Sequence, residues 1–192
     1  MPHEISIVNG RAEAAFALVP PWHNLGKTLN YVPTGDQIVD EAKIGWETEK
    51  LPMAIGRTAI IETPEGPVEK IVYDHTDNHF AVVRTDTGAV LGIVTDRYKC
   101  LQNREGVSFL NAIWVDRTLE FETAFALRGG KNVVIVARFP QAAEIVSGDS
   151  VFKYIFIQFG HGGNGAVLVG GCNVRPVCAN TVGLAIGEGG IV

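Results

Sequence analysis

The stretch LEFETAFALRGGKNVVIVARF, residues 119–139, sets two apolar, strand-forming runs on either side of RGGK. Gly129 and Gly130 tolerate positive φ, so the two runs predict a β-hairpin. Downstream, VFKYIFIQFG (151–160) and AVLVGGCNVRPV (166–177) read as two more strands around the glycine loop GHGGNG (160–165). The closing CANTVGLAIGEGGIV could open a helix at Asn180, but Gly183 and Gly187 are poor residues to propagate one.

Upstream of the hairpin, NREGVSFLNAIWVD (103–116) predicts a helix with Asn103 as N-cap. Val107, Leu110, Ile113 and Trp114 fall at helical spacing on its apolar side. Gly106 in the first turn costs about 1 kcal/mol against alanine. From Trp46 to Asp96 the pattern has period two. WETEKLPMAI, TAIIET, VEKIVYD, HFAVVRTD and AVLGIVTD read as strands, with TDTG (85–88) as a hairpin turn. TGDQIVDEAKIGW (34–46) predicts a short helix, since Thr34 and Gln37 have capping-box spacing and Asp36 suits a helix start. The first thirty-three residues, with VPPWHNLG among them, read as an extended N-terminal arm, because Pro20 and Pro21 force extended or turn backbone. The expectation is an α+β fold: a mostly antiparallel sheet with two short helices packed on it, forming a single domain over 34–192 behind the arm.

Composition bounds the function. The chain has 192 residues, 46% hydrophobic and 19% charged, enough for one substantial core. No apolar run is long enough to span a bilayer, and MPHEISIVNG lacks the basic and apolar segments of a secretory signal. Three cysteines without CxxC spacing argue against a disulfide scaffold or a zinc knuckle and fit a reducing cytoplasm. A net charge of −5 weighs against a uniformly basic surface but leaves room for a local cationic stripe. Arg84, Arg97, Lys99, Arg104, Arg117, Arg128, Lys131 and Arg138 gather in the middle third.

Two polar clusters follow apolar strands. DRYKCLQN (96–103) bridges a strand to a helix start, where free N–H groups and the cations Arg97, Lys99 and Arg104 suit a phosphate. The plainer reading has these residues capping local backbone and packing over the sheet edge. VRPVCANT (174–181) is the second cluster, with Arg175, Cys178, Asn180 and Thr181. On the arm, Trp22 could stack on a ring and His23 handle a proton, or Trp22 could simply anchor the arm. His75, Asp77 and His79 alternate but lack a fourth ligand, so no metal and no cofactor is expected. Neither RGGK nor GHGGNG satisfies the P-loop pattern. Cys178 with His23 or His161 would be a nucleophile–base pair only if folding brought them together.

Four segments in order resemble one family: HEISIVNG with PWHNLG, VTDRYKCLQNREG, LRGGKNVVIVARFP and NVRPVCANT. They are similar to the phage/plasmid-like protein family, a domain-of-unknown-function group (number 932) of phages, plasmids and integrated elements. Members usually carry two asparagines where this chain has Ala179 and Asn180, and many continue into a helical C-terminal region that this chain would lack. The resemblance implies a mobile-element protein in the cytoplasm of a bacterial host. It singles out Trp22, His23, Asp96, Arg97, Tyr98, Gln102, Asn103, Arg128, Arg175, Cys178, Asn180 and Thr181.

Two functions from different classes remain open. One is binding of single-stranded nucleic acid by a homo-oligomer that anneals strands, with Arg97, Tyr98, Lys99, Gln102, Asn103, Arg104, Arg128, Lys131, Arg175, Asn180 and Thr181 on the backbone and Trp22 stacking. The order of helix, hairpins and helix is similar to strand-annealing recombination proteins. The other is an enzyme acting on a nucleotide or other phosphorylated small molecule, with His23, Asp96 or Cys178 as catalytic candidates. Both need the 96–103 and 175–181 clusters to share one surface. A structural role, with the polar motifs only holding turns, is the third reading.

Overall fold

A computed structural model describes residues 3–113, 119–140, 143–146, 149–163 and 165–188. The chain opens with a small hairpin, β1 (Ile7–Val8) and β2 (Arg11–Ala12), which turns through Asn9 and Gly10 at positive φ. β3 (Ala14–Ala17) and β4 (Lys27–Leu29) follow, then helix α1 (Gly35–Glu41). The capping box forms as the spacing predicts: the Thr34 hydroxyl accepts from Gln37 N–H, and the Gln37 side chain accepts from Thr34 N–H.

β5 (Thr48–Thr63), β6 (Gly66–Arg84) and β7 (Val90–Thr95) make a three-stranded antiparallel sheet. The four strands expected over 46–86 are two long ones, with a single bulge near Pro52 and a turn at Pro64 and Glu65. α2 (Asn103–Ile113) comes next, with Val107 and Leu110 buried and Ile113 exposed. Trp114 and Arg117 lie outside the described residues. The hairpin of the opening stretch forms as β8 (Glu120–Leu127) and β9 (Asn132–Arg138), joined by one 3₁₀ turn with Gly129 and Gly130 at φ of 72° and 94°. β10 (Ala143–Val146) pairs with β11 (Asp149–Val151), and β12 (Tyr154–Gly160) with β13 (Leu168–Cys172). A third helix, α3 (Ala179–Glu188), forms despite its glycines. Its inner side, with Val182 and Ala185 buried, packs on the sheet, and burial outweighs propensity there.

The main sheet has six strands in the order β13-β12-β9-β8-β3-β4, antiparallel except for β3 with β4. The fold class is therefore the expected α+β. The N-terminal segment is extended as expected, yet it does not lie over the body: β3 is an inner strand, flanked by β8 and β4. Its sequence AAFA is buried at every position, which explains the placement.

Alternation sorts the sheet's side chains into two cores. Ala15, Ala124, Ala126, Val133, Ile135, Ile157 and Phe159 meet α1 and α2 on one face. Phe16, Phe125, Val134, Val136 and Phe156 meet Val177, Cys178 and α3 on the other. Hence α2, which follows β7, belongs to the first face, and α3, which follows β13, to the second.

Candidate functional site

The 96–104 cluster is largely a joint. Gln102 brackets the Thr48 backbone, accepting from its N–H at 2.9 Å and donating to its carbonyl at 2.9 Å, as a neighbouring strand would. Asn103 does not cap α2. It is 1% exposed and donates through Nδ2 to the carbonyls of Ile44 and Trp46, at 2.7 and 3.1 Å. The cap is supplied instead by Glu105, whose carboxylate accepts from Gln102 N–H. Tyr98 donates its hydroxyl to Gly160 O at 2.8 Å, which ties the cluster to the end of β12. Arg104 spans Asp36 and Asp40 of α1. What stays open is Asp96, Arg97 and Lys99: all three side chains are exposed, without a hydrogen bond or ion pair among the described residues.

Behind this joint lies a buried polar chain that sequence reasoning missed. Asn103 Oδ1 faces His161 Nε2 at 2.8 Å. Because Asn103 Nδ2 is committed to two carbonyls, Oδ1 must accept, so His161 carries its proton on Nε2. Nδ1 is then a buried acceptor without a partner among the described residues. Burial and the nearby Arg84 charge pull the imidazole down to about 4. Trp46 packs edge-on to that ring, with centroids 5.1 Å apart. Arg84 stacks 4.0 Å over Trp46 and forks onto Glu13, at 2.6 and 3.0 Å. Asp86 takes two further bonds from the same guanidinium. Arg84 is 1% exposed, so it leaves the set of cations open to a ligand. Local sequence gives no sign of this, since Glu13 and Arg84 are 71 residues apart.

The 172–181 cluster sits on the second face. Arg175 donates to the carbonyls of Val19 and Ala17, at 2.9 and 3.2 Å, and its Nε lies 2.6 Å from Glu122. Burial drives the Glu122 carboxyl up and the Arg175 guanidinium down, against their mutual attraction. Thr181 accepts from the backbone N–H of Val177 and Cys178 and so caps α3. Cys178 is fully buried, with Sγ 3.6 Å from that hydroxyl. His23 meets Val177 O through Nε2 and Leu25 N–H through Nδ1, which spends both ring nitrogens on holding the N-terminal segment. Trp22 is 63% exposed beside His23. Asn180 is exposed at the start of α3.

The two clusters therefore do not converge. The Arg175 cluster and the 98–103 joint lie on opposite faces of the six-stranded sheet, and Arg175 is spent on main-chain oxygens and Glu122. His23 and Cys178 come to the same corner, but the thiol is closed to solvent and Asp96 belongs to the other face.

A different grouping does form. An open groove of about 490 Å³ runs between β7 and the turn joining β8 to β9. Arg128 and Lys131 stand on one side, Leu91 and Ile93 on the other, and the backbone of Gly160 and Gly162 forms the floor. Glycine is required here: a Cβ on Gly92 would lie 2.3 Å from Gly162 O, so the GHGGNG loop packs directly onto β7. Gly163 makes the same kind of approach, since a Cβ there would lie 2.7 Å from Val94 Cγ1, so close packing on β7 accounts for these glycines. Arg128 shares its charge with Glu4 at 2.6 Å, while Lys131 is exposed with no partner among the described residues. Arg97 and Lys99 flank Tyr98, whose hydroxyl reaches the groove floor at Gly160. Of the expected cations, Arg128 and Lys131 line this groove, while Arg97 and Lys99 are exposed next to the tyrosine that is tied to its floor. No group of three or more His, Cys, Asp or Glu suited to a metal occurs among the described residues, and no helix there is long and apolar enough to cross a membrane.

Compared with known proteins, the chain matches the family described as Domain of unknown function (DUF932) over residues 90–192. That span takes in the groove, the joint and both polar clusters. No curated protein and no solved structure matches the chain.

Proposed function

Because the chain belongs to the family of the domain of unknown function DUF932, whose matched span carries the groove, we propose that it binds single-stranded nucleic acid there. The backbone of the strand runs past Lys131, Arg128, Arg97 and Lys99, in a protein borne by a phage or plasmid and acting as an oligomer that brings strands together in the bacterial cytoplasm. The observation that carries this reading is the groove edge, where Lys131, without a partner among the described residues, and Arg128, shared with Glu4, stand over a glycine floor open enough for a polymer. An open groove suits a chain-like ligand, whereas a small phosphorylated substrate needs a closed pocket with convergent groups.

The aromatic part of the reading changes. Tyr98 is anchored through its hydroxyl, and Trp22 stands at the far corner beside His23. Phosphate contacts therefore dominate, and sequence preference is low.

Titration of the purified protein with a labelled oligonucleotide at several salt concentrations tests this. Four phosphate contacts give a slope of log K against log salt near −3 for a single strand. Lys131→Ala and Arg97→Ala each lower the affinity and reduce that slope by about 0.7. Arg175→Ala is the contrast: it costs about 3 kcal/mol of stability, by leaving the buried Glu122 with only the more distant Arg138 at 3.7 Å, and leaves the slope unchanged. Absence of binding at low salt, or binding indifferent to salt, removes the proposal.

A further inference from the structure

The ribbon formed by β5 and β6 beyond β7 is the largest feature the groove does not explain. β7 pairs with β6 only between His79 and Val83. From Gly66 to His75 the outer edge of β6 has no strand beside it among the described residues, and only β5 on its inner edge. Ile55, Ile60, Ile71 and Tyr73 are 62, 74, 64 and 69% exposed. A two-stranded ribbon is marginal in water and gains independent stability from a third strand or a covering layer. Between positions 53 and 77 it carries two cations against five carboxylates, which disfavours a phosphate chain as its occupant.

We propose that the free edge of β6 pairs antiparallel with the same edge of a second copy of this chain, about a two-fold axis at Val72. In an antiparallel pair, opposite residues both turn their N–H and C=O toward each other or both away. A strand pairing with its own copy can therefore centre only on a residue, never between two.

Centred on Val72, Lys70 stands opposite the second copy's Asp74 twice, Ile71 opposite Tyr73 twice, and Glu69 opposite His75 twice. Centred on Ile71, Glu69 would face Tyr73 and Val68 would face Asp74. Centred on Tyr73, Glu69 would face Asp77 and Val72 would face Asp74. Of these three, only the Val72 register sets Lys70 against Asp74 and Ile71 against Tyr73. Charges placed on an edge usually block pairing; here they favour this register, since the Tyr73 register sets Glu69 against Asp77 and the Ile71 register leaves Glu69 and Asp74 against apolar side chains. Asp74 already lies 2.6 Å from Arg57 of β5, so Lys70 of the second copy would complete a row of alternating charge on one face.

Cross-strand partners share a face, so Ile71 and Tyr73 lie on the opposite one, where the Tyr73 ring covers Gly56, a Cβ at which would be 3.3 Å from that ring. Pairing turns two separate two-stranded ribbons into one four-stranded sheet. Pro52 and the bulge beside it interrupt the β5 edge at its base, and the two-fold pairs each β6 edge with one copy only, which closes this contact as a dimer. This contact deepens the oligomer proposed above and needs nothing from the nucleic-acid part of that reading.

Sedimentation of the full chain without nucleic acid tests it. The wild type should dimerise. Lys70→Asp and Asp74→Lys, each alone, place like charges opposite each other at both pairs and should raise the dimer dissociation constant at least about tenfold. Mixed together, the two variants should form a heterodimer, because both pairs again join opposite charges. Val72→Cys should cross-link to its copy under mild oxidation, since directly opposite Cβ atoms lie about 4.5–5.5 Å apart. A wild-type monomer at high micromolar concentration overturns the proposal, whatever else the ribbon then binds. So does a dimer that both charge variants leave intact, or a mixture that stays monomeric. Loss of oligonucleotide binding with the dimer intact would sink the functional reading alone.

Discussion

His161 is wholly buried, protonated on Nε2 toward Asn103 and without a partner on Nδ1 among the described residues. Its imidazole titrates near 4 in the fold and near 6.5 in the unfolded chain. The unfolded state therefore takes up a proton first as pH falls. Stability from this group is complete above pH 6.5 and drains away between there and pH 4, up to about 3 kcal/mol. Urea denaturation across that window should show the decline. A His161→Gln variant, which keeps a donor toward Asn103, should lose that share of it. Equal pH profiles for the two proteins would mean that the ring is not held neutral. Arg84 shows the same scale differently: its fork onto Glu13 and stacking on Trp46 spend a cation that the sequence places among those open to phosphate.

At the scale of elements, glycines in helices mean opposite things by position. Gly106 in α2 looks like a simple cost of about 1 kcal/mol. Yet a Cβ there would lie 2.7 Å from the Phe159 ring and 3.3 Å from Ile135, so the helix seats on the sheet only because that position is bare. Gly183 in α3 is exposed with nothing near it. Gly106→Ala should destabilise by about 1–3 kcal/mol through overpacking, and Gly183→Ala should stabilise by about 0.5–1 kcal/mol. Thermal melts of the two should move in opposite directions. A shared direction would refute the packing account of α2. In the DRYKCLQN segment and Arg104 after it, most of the polarity goes into bracketing β5, tethering β12 and fastening α1, and only the outward cations remain for a ligand.

At the scale of the molecule, the body and the ribbon are separable. Neither core cluster includes a residue between positions 47 and 90, so the ribbon adds little to what holds the body together. Replacing residues 53–79 by Asn-Gly joins the register partners Pro52 and Phe80 through a two-residue turn. The shortened chain should melt within a few degrees of the full one, bind oligonucleotide with the same salt slope, and sediment as a monomer. A large fall in melting temperature would show the ribbon to be part of the folding unit.

Local chemistry carried much of this protein unaided. The α1 capping box, the β8–β9 hairpin through RGGK and the strand character of 46–96 were legible, because each depends on residues within a few positions of one another. The N-terminal strand was not: AAFA gains its place only by burial between β8 and β4, a contact made from over a hundred residues away. The same holds for the site. The sequence marked Arg97, Lys99, Arg128 and Lys131 as cations, but it could not say that Arg84 and Arg175 were already committed. Nor could it show that a six-stranded sheet separates the two polar clusters. Which charges are spent and which are free is a long-range electrostatic and packing outcome, and only the folded chain decides it.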